Sequence, residues 1–426
     1  MDPQYSIWER IVNLIPMIRD ELWAALYDHI PVWSIVITDS IITIGFIVSV
    51  IFTLVIGLIW LERRLLAWFQ LRPGPNRNGP FGLLQPVADA IKFLFKEVIE
   101  VRYGQRWLLW LSPILLFFSV FMAFAVIPIG WGSENAPWGS KGALADLDIG
   151  VLYLVAIGSV GVVGVLVGGW GSRNKWSLLG SMRAVAQMVS YEIPMVLSVV
   201  GVILIVGSMN IGEIVGKQGL PFIFLQPLGF FLYFISAIAE LNRTPMDQVE
   251  AESELTTGYF TEYSGMWFAT FFLAEYINAF VVSCITATVF LGGWKPWPFP
   301  DNWLPGGIIL LIKAIMVFAF IIWMRATLPR IRIDQIMAFA WKFLIPIALI
   351  NVFVTAGEVL IWDAIWPDGE IFPYWFAAIN IPLSIALVVV WSKLFFKLGG
   401  GRVDVRSLWS GYSQRDAVNS KASFST

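Results

Sequence analysis

Nine apolar stretches run along the chain, near 40–61, 107–130, 149–169, 184–207, 222–240, 267–291, 306–324, 338–361 and 376–396. Each reaches or approaches the ~20 residues that a helix needs to cross a hydrocarbon core. Backbone polar groups in lipid must be paired internally, and these stretches are too long for barrel strands, so the pattern predicts helices. The segment from Phe81 to Val98 differs. It sets Leu84, Val87, Ala88, Ile91, Leu94, Phe95 and Val98 on one helical face and Gln85, Asp89, Lys92 and Lys96 on another. That spacing predicts a helix lying in the interface instead of crossing it. The expected fold is an all-α polytopic membrane protein with about nine transmembrane helices plus an interfacial amphipathic helix. Three units are expected: an extracytoplasmic or interfacial extension over 1–38, a helical bundle over 39–397 with polar loops at 62–106 and 240–266, and a cytoplasmic tail over 398–426.

Composition agrees with that pattern. Of 426 residues, 58% are hydrophobic and 14% charged, against roughly 25% charged in soluble proteins. The net charge of −2 gives no footprint for nucleic acid. One cysteine, Cys284, excludes a disulfide framework and a thiolate cluster. One histidine, His29, excludes multi-histidine metal sites. Residues 1–35 intersperse Glu9, Arg10, Arg19, Asp20 and Glu21 with apolar clusters, unlike a signal peptide. The glycines between Gly161 and Gly169 predict close helix packing in a membrane.

Charge then orients the bundle. Of 28 Lys and Arg, 22 fall on the side that holds the 62–106 connection and the C-terminus. By the positive-inside rule that side is cytoplasmic and the N-terminus lies outside. Lys217, Lys295 and Lys313 are among the six exceptions.

Between Glu240 and Glu275 stand seven acids, Glu240, Asp247, Glu250, Glu252, Glu254, Glu262 and Glu275, against one base, Arg243. So many carboxylates beside hydrocarbon cost free energy unless they serve a function or sit in protein or water. Glu192, in Ser190-Tyr191-Glu192-Ile193-Pro194, lies in the fourth run; Glu240 closes the fifth and Glu275 lies in the sixth. The three are expected at overlapping depths, and carboxylates gathered away from water titrate as a coupled set able to pass protons. Arg325, Arg330 and Arg332 are natural counter-charges for the acidic loop. A rigid Pro/Gly loop over Leu71–Pro80 could present Arg72 and Arg77 to an anionic group.

Several of these segments together resemble one family. They are Glu62-Arg63, Gln70-Leu71-Arg72-Pro73-Gly74-Pro75-Asn76-Arg77, Gly82-Leu83-Leu84-Gln85-Pro86-Val87-Ala88-Asp89 and Ala186-Gln187-Met188-Val189-Ser190-Tyr191-Glu192. Asn242-Arg243-Thr244-Pro245, Glu250-Ala251-Glu252-Ser253-Glu254-Leu255, Glu262-Tyr263-Ser264-Gly265-Met266, Phe272-Leu273-Ala274-Glu275-Tyr276 and Arg330-Ile331-Arg332-Ile333-Asp334-Gln335 follow in order. The set is similar to the membrane-arm H subunit of proton-translocating NADH–quinone oxidoreductase, respiratory complex I, over about 40–361.

The resemblance implies a subunit without redox centres of its own, in a translocase whose substrate is a lipid-soluble quinone. Iron–sulfur clusters and flavin are then expected in partners. Those partners are the iron–sulfur quinone-site subunits of the hydrophilic arm, small membrane subunits and antiporter-like subunits. It implies a bacterial inner membrane location. Glu62, Arg63, Arg72, Asp89, Lys92, Arg243, Glu262, Arg325, Arg330, Arg332 and Asp334 would line the quinone path. Glu192, Glu240, Asp247, Glu250, Glu252, Glu254 and Glu275 would relay protons. No metal site is implied on this chain. Met246, Gln248 and Ile333 depart from the family's usual Phe, Leu and Tyr. Two other readings stay open: the related membrane subunit of hydrogenase or formate hydrogenlyase complexes, and a stand-alone transporter.

Overall fold

A computed structural model describes residues 32–99, 101–128, 143, 145–248, 257–297, 306–365 and 373–397. Among these residues the chain is helical, with no strand. The helices are α1 (Val32–Phe69), α2 (Gln85–Phe95), α3 (Arg106–Phe124), α4 (Gly150–Gly171), α5 (Lys175–Val206), the short α6 (Ile211–Gly216) and α7 (Phe222–Leu225), and α8 (Pro227–Glu240). After them come α9 (Gly265–Phe290), α10 (Gly306–Thr327), α11 (Ile333–Phe339), α12 (Ile345–Ile365) and α13 (Pro373–Lys397). Seven helical segments are long and apolar enough to cross a membrane. Each of the nine predicted apolar runs contains helix, and the protein is a polytopic all-α membrane protein.

The differences from the sequence pattern have local causes. α1 starts at Val32 and continues through Leu61-Glu62-Arg63-Arg64, so its 38 residues extend about 57 Å. Its polar end is tied down by partners instead of fraying. α5 begins nine residues before the predicted fourth run, because Asn174 accepts a hydrogen bond from the Trp176 backbone N–H and caps the helix. The fifth run is interrupted at Gln226, whose φ of −132° and ψ of 66° are not helical. Pro227 follows it, lacks an N–H and disfavours the helical region for the residue before it. The eighth run combines α11, a π turn at Ala340–Leu344 and α12.

Small residues bring helices together, as lipid offers no hydrophobic drive between them. A Cβ at Gly168 would lie 2.5 Å from Ser112 Oγ, and one at Gly164 would lie 3.2 Å from the Leu116 N. The α3–α4 approach therefore needs glycine there. Ser112 Oγ closes the contact by donating to the Gly164 carbonyl at 2.7 Å.

At one end of the bundle, lysines cap helix C-termini. Lys313 Nζ donates to the carbonyls of Leu291, Gly293 and Lys295 at 2.7, 3.0 and 2.7 Å. Lys295 Nζ donates to the Gly216 and Gln218 carbonyls, and Lys217 Nζ to that of Val206. These three exceptions to the positive-inside count neutralise the negative ends of α9, α6 and α5. The C-terminal ends of α1, α8 and α10 and the N-terminal half of α9 meet at the opposite end, where the acidic residues collect.

Candidate functional site: a buried ionic cluster joining two cavities

Glu62 sits on the last turns of α1 and is 2% exposed. Arg243 Nη1, from the loop after α8, donates to its Oε2 at 2.7 Å, and Arg325 Nη1, from α10, donates to its Oε1. The Arg243 Nε lies 3.4 Å from Glu275 Oε1 of α9, and its guanidinium carbon lies 4.7 Å from the centre of the Tyr276 ring. Two carboxylates and two guanidiniums therefore form a charge-balanced cluster, with Glu62 and Arg243 buried and Glu275 and Arg325 partly exposed. Burial alone would favour loss of the Arg243 charge, but Glu62 and Glu275 outweigh it and hold the guanidinium's affinity for its proton above the ordinary value.

The loop carrying Arg243 is organised by Gln187 of α5. Its Nε2 donates to the carbonyls of Ala239 and Met246 at 2.8 and 2.7 Å and reaches Asn242 Oδ1 at 3.3 Å. Asp247 pairs with Arg330 at 3.0 Å, and Arg183 donates to Gln248 Oε1 at 3.0 Å. Gln248 Nε2 in turn donates to the Ile331 carbonyl, stitching this loop to the segment before α11. Residues 241–248 contain turns and no helix. Glu250, Glu252 and Glu254 lie outside the described residues.

Two cavities meet at Glu275. One is lined by Arg243, Arg325, Glu275 and Tyr276 together with Phe268 and Phe272. The other is lined by Glu192, Glu240 and Glu275 with Tyr233 and Asn242. The three carboxylates placed at overlapping depths from the sequence thus border one cavity. Ser159 Oγ of α4 donates to Glu192 Oε1 at 2.7 Å, whereas Glu240 Oε2 is buried with no hydrogen-bond partner.

A third opening faces outward. Thr53, Gly57, Leu61 and Trp60 of α1, Leu83 in the turn before α2, and Leu311 and Ile315 of α10 line an apolar groove of about 590 Å³. Three residues beyond Trp60 on α1, Arg63 Nη1 donates to Asp89 Oδ2 at 2.6 Å, and Lys92 lies 3.5 Å from Oδ1. Partial desolvation acts to raise the Asp89 pKa, but Arg63 and Lys92 more than offset it, so the carboxyl stays below its usual range. Arg64 Nη1 donates to the Phe81 carbonyl and fixes the turn against α1.

The remaining residues are dispersed. Arg72, Arg332 and Asp334 are exposed and stand apart from the cluster. Glu262 accepts from Asn174 Nδ2 at 2.7 Å, away from the cluster. Residues not singled out from sequence also take part: Tyr276 under Arg243, Ser159 on Glu192, and Gln187 beneath the loop. Gln187 and Tyr276 stand within matched motifs, while nothing in the pattern around Ser159 marks it.

A buried ionic cluster with paired cavities inside a bundle of membrane helices defines an integral membrane protein that holds charged groups among its helices. The family described as NADH dehydrogenase matches residues 42–356. The NADH-quinone oxidoreductase H subunit of Dehalococcoides mccartyi strain CBDB1 is 50% identical over 375 residues, 88% of this chain and 99% of that protein. The corresponding protein of Carboxydothermus hydrogenoformans is 45% identical over 344 residues, covering 80% and 95%. That of Bacillus cytotoxicus is 49% identical over 297 residues, covering 69% and 86%. The chain belongs to the family of the NADH-quinone oxidoreductase H subunit.

Proposed function

We propose that this chain carries the quinone path of a multi-subunit NADH–quinone oxidoreductase and couples quinone reduction to proton movement. The carrying observation is that Glu275 borders both the arginine-lined cavity and the Glu192–Glu240 cavity. A charge change beside Arg243 and Arg325 is thereby one side chain away from carboxylates that can take up or release a proton.

The apolar groove between α1, Leu83 and α10 suits a hydrophobic isoprenoid tail coming from the bilayer. Arg63 stands three residues beyond Trp60 with Asp89 and Lys92 beside it, and Glu62, Arg243, Arg325, Arg330 and Asp247 form the polar end toward which a headgroup would move. Electrons come from an iron–sulfur centre in a partner subunit, and this chain supplies the channel walls and charge. Glu250, Glu252 and Glu254 extend the relay in this reading. The ionic cluster faces the cytoplasm of a bacterial inner membrane, as the Lys and Arg distribution supports.

A photoreactive quinone applied to the intact complex tests this. Label is expected on Thr53, Leu83 or Ile315 of the groove and near Arg243 or Asp247. Label confined to the lysine-capped end would overturn the reading.

A further inference from the structure

Away from the acidic cavities, a second polar seam runs between α12, α13 and the break at Gln226. Asn351, Thr355 and Glu358 repeat at helical spacing on one face of α12. Gln226 Nε2 donates to Thr355 Oγ1 at 2.8 Å, and Asn380 Nδ2 of α13 donates to the Leu225 carbonyl at 2.8 Å. Gln226, Asn351, Thr355 and Asn380 are all buried.

The seam is incompletely paired. Both Glu358 oxygens, Gln226 Oε1 and Asn351 Nδ2 are shut off from the surface with no hydrogen-bond partner. Asn380 is the polar group that approaches Glu358. Among the described residues the titratable groups on the elements around it include Lys175, Arg183, Tyr191 and Glu192 of α5, Tyr233 and Glu240 of α8, Lys342 of the π turn and Lys393 of α13; none of these exerts a charge on Glu358. An ionised carboxylate in that setting, with no counter-charge among the described residues and only the neutral Asn380 amide to approach it, is disfavoured. A bound proton removes the charge and turns one oxygen into a donor. A metal cation would need several converging oxygens. Gln226 Oε1 is instead turned toward Gly201 and Gly229, where an added Cβ would lie 2.6 and 3.0 Å from it.

We infer that Glu358, with Asn351, Thr355, Gln226 and Asn380, forms a proton-binding site separate from the Glu192–Glu240–Glu275 cavity. Glu358 lies two residues beyond the family match at 42–356, and α13 lies wholly beyond it. The site is also at the far end of α8 from Glu240, whose 14 residues separate the two by about 21 Å.

The test is carbodiimide labelling of the intact complex in its membrane, read by mass spectrometry of the Glu358 peptide, because dicyclohexylcarbodiimide attacks protonated carboxyls in apolar surroundings. Labelling of Glu358 should decline as pH is raised and disappear in Glu358→Gln. The protonated-carboxyl infrared band should lose intensity in the same variant. An unlabelled Glu358 with an unchanged infrared band in Glu358→Gln overturns the assignment. So does protection by sodium at constant pH, which would make the seam a cation site. Neither readout requires quinone turnover, so this result stands apart from the quinone-path reading.

Discussion

Arg243 and Glu62, 181 positions apart in the chain, meet through a 2.7 Å hydrogen bond with both side chains almost wholly buried. Removing one partner leaves the other's charge stranded in an apolar bundle. Glu62→Ala should therefore destabilise the protein by about 3–5 kcal/mol. Thermal unfolding of the purified complex, or the amount of this chain in the membrane, would show it. A Glu62→Ala, Arg243→Ala pair should cost less than the sum of the single changes; additivity would count against the coupling.

The groove between α1 and α10 makes a specificity prediction. A Cβ at Gly57 meets nothing within 4 Å, so a side chain there starts into open space on the groove wall. Gly57→Trp should narrow the groove and raise KM for long-tailed quinones much more than for short, water-soluble ones. Steady-state kinetics with the two substrates would decide it, and equal KM values for wild type and variant would remove the groove from the path.

Proton relay predicts a different signature. Glu192→Gln and Glu275→Gln keep side-chain shape and lose the exchangeable proton. Each should reduce quinone-linked turnover by about a hundredfold, the lower end for a positioned acid–base group. Ser159→Ala removes only the hydrogen bond to Glu192 and should have a smaller effect. Glu254→Ala should impair turnover while the protein still assembles. Wild-type activity in all four would end the relay reading.

Asp89 gives a pH prediction. Its pKa is depressed in the folded protein, so its contribution is present above the ordinary aspartate pKa and lost as pH falls through the lowered value. Exposure of Arg63 and Lys92 limits that contribution to about 0.2–1 kcal/mol. Once the intrinsic pH dependence of exchange is divided out, amide protection in α2 should fall on acidification or at high salt, and Asp89→Asn should abolish that pH-dependent loss of protection.

Much of this can be read from residue order, because lipid imposes strong rules on backbone pairing. The nine apolar runs each contain helix, and the Gly161–Gly169 cluster packs as expected. The three carboxylates Glu192, Glu240 and Glu275 do border one cavity. Periodicity does not reveal where helices begin, since α5 starts at a cap provided by Asn174 and α1 extends through charges that meet counter-charges only in three dimensions. In the sequence Glu62 belongs to a basic loop; its pairing with Arg243 and Arg325 depends on three separate helix ends converging. Ser159 is one serine among many until α4 and α5 pack. The seam at Glu358 leaves no trace in the pattern, because Gln226, Thr355 and Asn380 are far apart in the chain.

The break at Gln226 leaves α8 only 14 residues long, about 21 Å against a hydrocarbon core of about 30 Å. Its ends therefore stop inside protein, where water cannot screen their partial charges. The negative pole of its peptide dipoles points at the turn holding Arg243 and adds to the attraction of Glu62 and Glu275. A full-length helix would lose that pole to solvent. Here a shortened helix becomes a fixed electrostatic element, and lengthening it by even one turn would move that pole away from the guanidinium it helps to hold.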